Sequence, residues 1–111
     1  LGVEIDESGT PTNYVRKIEN AICTSYSASA GRGAGGQGLY CGTVAVNPNV
    51  IPYGTRLYIA SADRSFVYGY AIASDCGIAM MDGRVDFDLY FESNAECYRF
   101  GKRTLEVYVL D

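Results

Sequence analysis

The chain contains no histidine and no tryptophan, only three prolines, and only nine lysines and arginines in 111 residues. Without histidine, the commonest zinc ligand and the usual general base near neutral pH are both missing. The four cysteines, at positions 23, 41, 76 and 97, include no CxxC pair. No metal site and no resident cofactor are therefore expected. Acidic groups outnumber basic ones, giving a net charge of −4. No basic stripe is available to neutralise a phosphate backbone, so a nucleic-acid partner is not expected. No apolar run is long enough to span a bilayer, and no charged-then-apolar leader opens the chain, so no membrane insertion by this segment is expected. The first residue is Leu1, so an upstream segment, with any signal or anchor, is expected to have been removed.

What is present points to strands. Ten tyrosines and four phenylalanines accompany many valines and isoleucines, and β-branched and aromatic residues favour pleated sheet. With 48% hydrophobic and 20% charged residues, the chain can bury a core of its own as one domain. An even cysteine count allows two disulfides in an exported protein or four buried thiols; the spacing alone does not choose.

Residues 1–13 read as a loose lead-in with Ser8-Gly9-Thr10-Pro11 as turn chemistry, leaving 14–111 as a single domain without repeats. Tyr14–Tyr26 reads as a long, irregularly alternating strand. Residues 28–38 (ASAGRGAGGQG) form a Gly-rich stretch. It lacks a GK[ST] ending and a following helical pattern, so it reads as a loop rimming a cleft, not as a phosphate cradle. Further strands are expected at Thr43–Val46, Arg56–Ile59, Phe66–Ala73 and Thr104–Leu110, with Asn47-Pro48-Asn49 and Ser61–Ser65 as turns. Residues 85–91 (VDFDLYF) alternate cleanly: Val85, Phe87, Leu89 and Phe91 on one face, Asp86, Asp88 and Tyr90 with Arg84 on the other. Ser93-Asn94-Ala95-Glu96 is a capping box and Gly101 a helix stop, with Ala95, Tyr98 and Phe100 placed to dock. The pattern describes a mainly β fold, a small β-barrel with one or two short helices.

Candidates for chemistry are few, and the carboxylates Asp75, Asp82, Asp86 and Asp88 cluster. Asp75 ends an apolar strand ahead of Cys76-Gly77, where apolar neighbours can raise a carboxyl pKa towards that of a general acid. Asp86 and Asp88 share a strand face, roughly 6–7 Å apart, and Arg84 is the obvious cation to pair with them. Asp75-Cys76-Gly77 also echoes the D-[TS]-G of aspartic proteases, but one copy supplies only half of such a dyad. Solubilising or turn-forming aspartates remain the bland alternative.

Four segments, in order from about residue 14 to 111, resemble the three-aspartate (3D) domain family of bacterial cell-wall proteins. Cys23-Thr24-Ser25-Tyr26 is similar to A-T-A-Y. Residues 44–59 (VAVNPNVIPYGTRLYI) resemble V-A-V-D-P-x-x-I-P-L-G-T-x-x-Y-I. Residues 73–91 (ASDCGIAMMDGRVDFDLYF) resemble A-x-D-T-G-G-A-I-K-G-N-x-I-D-L-Y-F, and residues 96–110 the family's closing helix and strand. The resemblance implies a six-stranded double-psi β-barrel, an extracytoplasmic place of work, a monomer, and peptidoglycan glycan strands as partner. It further implies cleavage of the MurNAc-GlcNAc bond with formation of a 1,6-anhydro sugar, or a binding module that has lost that chemistry. Asp75 matches the Asp of D-T-G. The second family aspartate falls on Asp86 by spacing and on Asp88 by the L-Y-F anchor. Asn47 replaces the Asp of V-D-P, and Met80-Met81 stand where the family carries I-K. Thr24, Tyr26, Asn47 and Gly77 are the implied substrate contacts. Tyr53, Tyr68 and Tyr90 are additional tyrosines with faces suited to a sugar ring.

Overall fold

The computed structural model describes residues 4–27 and 42–110, apart from the side chain of Ile78. The Gly-rich stretch at 28–38 and Cys41 lie outside the described residues. Six strands close into a barrel: β1 (Arg16–Tyr26), β2 (Thr43–Ala45), β3 (Arg56–Ala60), β4 (Val67–Asp75), β5 (Phe87–Tyr90) and β6 (Arg103–Val109), with a single turn α1 (Ile78–Met81) and a short helix α2 (Asn94–Phe100). Around the barrel the order is β1-β5-β2-β4-β3-β6. The β1–β5 and β2–β4 pairs are parallel and the others antiparallel. Those two interlocked parallel pairs are the double-psi arrangement.

Period-2 alternation decides which side chains fill the barrel. Ala21 and Cys23 from β1, Val44 from β2, Leu57 and Ile59 from β3, Ala71 and Ala73 from β4, Phe87 and Leu89 from β5, and Leu105, Val107 and Val109 from β6 form one buried core. Burying such a side chain stabilises the fold by about 1.5–3 kcal/mol for each large aliphatic or aromatic residue. In β1, Ile18 pairs with Val107 but Ala21 pairs with Leu105, so one extra residue bulges out. Asn20 takes the left-handed conformation there, φ 55°, which asparagine tolerates better than most residues.

Outside the wall, Tyr58, Ala60, Tyr108 and Leu110 form a second cluster. The lead-in, expected to be loose, is docked beside it. Ile5 bridges Pro11, and Arg64 reaches across to Gly9 O (2.8 Å) and Thr10 Oγ1 (3.1 Å). The same guanidinium holds Ser61 O, Tyr108 OH and Glu106 Oε1.

The N-cap half of the capping box forms: Ser93 Oγ accepts from Glu96 N–H at 3.2 Å, and the Ser93 hydroxyl donates to Glu96 Oε1. Gly101, φ 64°, ends α2 with its N–H on Cys97 O. Two expectations for this helix need correction. Tyr98 does not dock; it is 89% exposed, and Ala95 is exposed as well. Phe100 docks as expected and Cys97 joins it in place of the other two, because a seven-residue helix turns only one narrow stripe towards the wall. The two-disulfide option is not realised at the described cysteines, since Cys23, Cys76 and Cys97 are free thiols. Cys23 is sealed in the core, where burial and the charges of Asp86 and Asp88 push its pKa up to about 12.

Candidate functional site

Strand register brings the candidates into one row. Thr24 on β1 pairs with Asp88 on β5, Asp88 with Ala45 on β2, and Ala45 with Asp75 at the end of β4. Two strand spacings place the Asp75 and Asp88 Cα atoms roughly 10 Å apart, with only the Ala45 methyl between them. A bulge makes the row possible. Val44 pairs with Ala73 but Ala45 pairs with Asp75, so β4 skips Ser74. Ser74 is fully buried and its hydroxyl has no hydrogen-bond partner. Below the row, Ala45 packs with Met80 and Val85, flanked by Ile22, Tyr26 and Ala79. This apolar floor lies on the outer face of the wall, and α1 contributes Met80 to it.

Each carboxylate has its own holder. Asp75 accepts from Cys76 N–H at 2.8 Å. Asp88 accepts from Thr24 Oγ1 at 3.0 Å. Burial raises the Asp88 pKa above the ordinary carboxylate value and the Asp75 charge pushes the same way, while the Thr24 hydrogen bond opposes them. Asp88 thus keeps its proton to higher pH than an exposed aspartate. Tyr26 stands beside the pair. Its phenol pKa is raised, first by burial and then by the charges of Asp75 and Asp88. Its hydroxyl is buried without a hydrogen-bond partner among the described residues.

The two register options for the second aspartate occupy different surroundings. Asp86 Oδ2 accepts from Ile22 N–H at 2.8 Å, and Asp86 N–H donates to Ile22 O at 2.9 Å. Asp86 therefore stitches the start of β5 to β1. The expected Arg84 pairing with Asp86 or Asp88 does not form: Arg84 Nε lies 2.8 Å from Asp82 Oδ2. The Asp82-Gly83 turn folds Arg84 back onto its own loop, and Gly83 supplies φ 85° there.

Asn47 is a turn residue. Its Oδ1 accepts from Asn49 N–H at 3.0 Å and its carbonyl accepts from Val50 and Ile51 N–H. It lines a cavity of about 350 Å3 together with Asp86, Arg16 and Met80. Gly77 starts α1, its carbonyl accepting from Met80 and Met81 N–H, and a Cβ at Gly77 would lie 2.8 Å from Met80 Cε.

Of the remaining tyrosines, Tyr90 is buried edge-on to Tyr26 with ring centroids 5.4 Å apart. Tyr68 is bound through its hydroxyl to Tyr90 O and Gly42 N–H. Both are wall components. Tyr53 is partly exposed; its hydrogen bond to the Cys76 thiol pushes its pKa up to about 12. Tyr98, expected from the sequence to dock, instead exposes its ring. It edges an open groove of about 440 Å3 shared with Thr24, Ser25 and Asn94. No group of three or more His, Cys, Asp or Glu side chains among the described residues is arranged to hold a metal ion.

A sequence model of the 3D domain matches residues 42–111. The chain belongs to the 3D domain family. The matched span carries Asp75, Asp86 and Asp88 but begins after the Cys23–Tyr26 segment. YabE of Bacillus subtilis (strain 168), named as a cell wall shaping protein, is 32% identical over 86% of this chain and 23% of its own length. The cell wall-binding protein YocH of the same strain is 28% identical over 95% of this chain and 37% of its own length. The chain therefore spans about a quarter to two fifths of these relatives. Among solved structures, Escherichia coli MltA superposes with a TM-score of 0.60 at 22% identity, covering 74% of this chain and 28% of MltA. A structure of MltA with bound chitohexaose gives a TM-score of 0.57, again at 22% identity, over 73% of this chain and 28% of MltA. MltA has been described as a lytic transglycosylase fold, and the likeness establishes a shared barrel.

Proposed function

We propose that this 3D domain cleaves the glycan strand of peptidoglycan outside the cytoplasm, with Asp88 as the general acid. The observation that carries the reading is the half-buried Asp88 carboxyl, its pKa raised, held by Thr24 and facing Asp75 across a single alanine. Protonated Asp88 gives its proton to the oxygen linking MurNAc to GlcNAc as that bond breaks. The Asp75 carboxylate stabilises the positive charge that develops on the sugar. Ionised Asp88 then takes the proton of the C6 hydroxyl, whose oxygen closes on C1. One proton leaves the acid and one returns, no water is consumed, and the product is a 1,6-anhydro sugar.

Asp88 is preferred over Asp86 because Asp86 is exposed and its carboxylate is committed to the Ile22 amide. Asn47 in place of the family aspartate leaves the proton-transfer pair intact. Its side-chain oxygen caps the 47–51 turn, a task an aspartate would perform equally well. The test is digestion of purified peptidoglycan with analysis for 1,6-anhydro muropeptides by mass spectrometry. Asp88→Asn is expected to abolish the product and Asp86→Asn to retain it if the variant folds. No anhydro product from the native chain between pH 4 and 8, beside an active control enzyme, would overturn the reading. Binding to insoluble peptidoglycan without cleavage would instead favour a glycan-binding module, the reading suggested by YocH's name.

A further inference from the structure

The cavity of about 350 Å3 beside the catalytic row is not needed for the proton transfers proposed above. Its lining is unusual in chemistry. Ile18, Ile51, Met80 and Val85 supply aliphatic surface, while Arg16 and Asp86 supply opposite charges. Arg16 forms no ion pair or side-chain hydrogen bond among the described residues. Among the described residues Asp86 receives only the Ile22 amide, and Asp82, also in the lining, is neutralised by Arg84. The two unneutralised charges share a cavity yet do not meet. Asp86 is fixed to Ile22, and Arg16 lies at the far end of β1 beyond the bulge between Ile18 and Ala21.

Among the described residues of the lining, Phe87 is the one aromatic and is 2% exposed. Those residues offer a sugar ring no open aromatic face to stack on. An aliphatic chain with a cation at one end and a carboxylate at the other fits both the floor and the charges. Short peptides with amine and carboxylate groups hang from the MurNAc residues of peptidoglycan, next to the bond that Asp88 would protonate. Asp86 lies two residues before Asp88, just ahead of β5 and bound to Ile22 of β1, two residues from the Thr24 that holds Asp88, so the cavity adjoins the scissile bond.

We infer that this cavity is a subsite for the stem peptide, with Asp86 receiving its amine and Arg16 its carboxylate; the assignment rests on the glycan reading above. It makes the chain a reader of peptide-bearing strands, not only of the sugar backbone.

Calorimetric titration compares a soluble disaccharide muropeptide carrying a lysine-containing stem, the same compound with its lysine amine acetylated, and a peptide-free chito-oligosaccharide. The native chain is expected to bind the first most tightly. Exposed Arg16→Glu should weaken the muropeptide by about five-fold or more and leave the peptide-free sugar within about two-fold. Acetylation should cost a similar factor through loss of the Asp86 contact. Equal binding of muropeptide and bare sugar, or equal loss of both in Arg16→Glu, overturns the subsite and leaves the glycan reading standing. Arg16-dependent binding of the peptide-bearing ligand with no affinity for bare sugar supports the subsite and overturns recognition of the glycan itself.

Discussion

Arg64→Ala offers the sharpest test of how the docked lead-in is held. The guanidinium donates to Gly9 O at 2.8 Å, Ser61 O at 2.7 Å, Tyr108 OH at 2.7 Å, Glu106 Oε1 at 3.0 Å and Thr10 Oγ1 at 3.1 Å. Only 18% of the Arg64 side chain and 16% of Glu106 is exposed, so water replaces few of these bonds. A charge-assisted hydrogen bond contributes about 1.5–3 kcal/mol and a neutral one about 1 kcal/mol, with strong non-additivity around a single group. The loss should therefore total about 3 kcal/mol, near 12 °C in Tm for a domain of this size.

Truncation also leaves Glu106 with Lys17 at 3.4 Å and the Tyr108 hydroxyl at 2.8 Å. Burial works against the Glu106 charge, but Arg64, Tyr108 and Lys17 outweigh it and hold the Glu106 pKa below its ordinary value. That part of the stability is present above the unfolded carboxylate pKa and is lost as pH falls through the lower folded value. The deficit of Arg64→Ala should accordingly shrink in acid. Arg64 also sits at φ 62°, so Arg64→Gly should be about 1 kcal/mol more stable than Arg64→Ala. Urea unfolding followed by circular dichroism at pH 7 and pH 3 measures all three quantities. A deficit under about 1 kcal/mol, or a glycine variant no better than alanine, refutes the clamp.

Thr24→Val removes the hydrogen bond that lowers the Asp88 pKa. Activity that needs protonated Asp88 falls as pH rises through that pKa, so the falling limb of the rate profile should move to higher pH. For the fold, a raised carboxyl pKa favours the native state below the unfolded pKa, an advantage lost as pH rises through the folded value. Asp88→Asn should therefore gain stability relative to the native chain at pH 7 compared with pH 3, read from paired melting curves. Gly101→Ala forces a side chain into φ 64° at the end of α2 and should cost about 1 kcal/mol in chemical unfolding. Ser93→Ala removes the cap on Glu96 N–H and should cost a similar ~1 kcal/mol.

Alternation in residues 87–91 correctly placed Phe87, Leu89 and Phe91 in the core, away from Asp88, because the strand period is fixed by covalent geometry; Val85, expected on the same face, precedes β5 and packs with Ala45 and Met80 outside the barrel. The capping box at Ser93 was legible for the same reason: both ends of the interaction lie within one turn. What stayed hidden depends on contacts between distant segments. Asp86 and Asp88 look equivalent along the chain, and only pairing with β1 gives one the Ile22 amide and the other the Thr24 hydroxyl. The choice of Asp82 by Arg84 depends on the turn at Gly83. Tyr98 looked like a docking residue until the small contact face of α2 fixed which stripe meets the barrel. Arg64 carried no sequence signal, since its partners lie at Gly9, Thr10, Glu106 and Tyr108.

The placement of β1 also sets the tempo of folding. Both strands that flank it come late in the chain: Cys23–Tyr26 pairs with Phe87–Tyr90, and Arg16–Cys23 with Arg103–Val109. The first strand of the barrel therefore waits for the fifth before one edge is satisfied and for the sixth before the other. At about 5–20 residues per second, that interval lasts several seconds, and long-range pairing of this kind is slow in any case. The barrel closes only once β6 has been made, and until then β1 is the segment most exposed to pairing with the wrong partner.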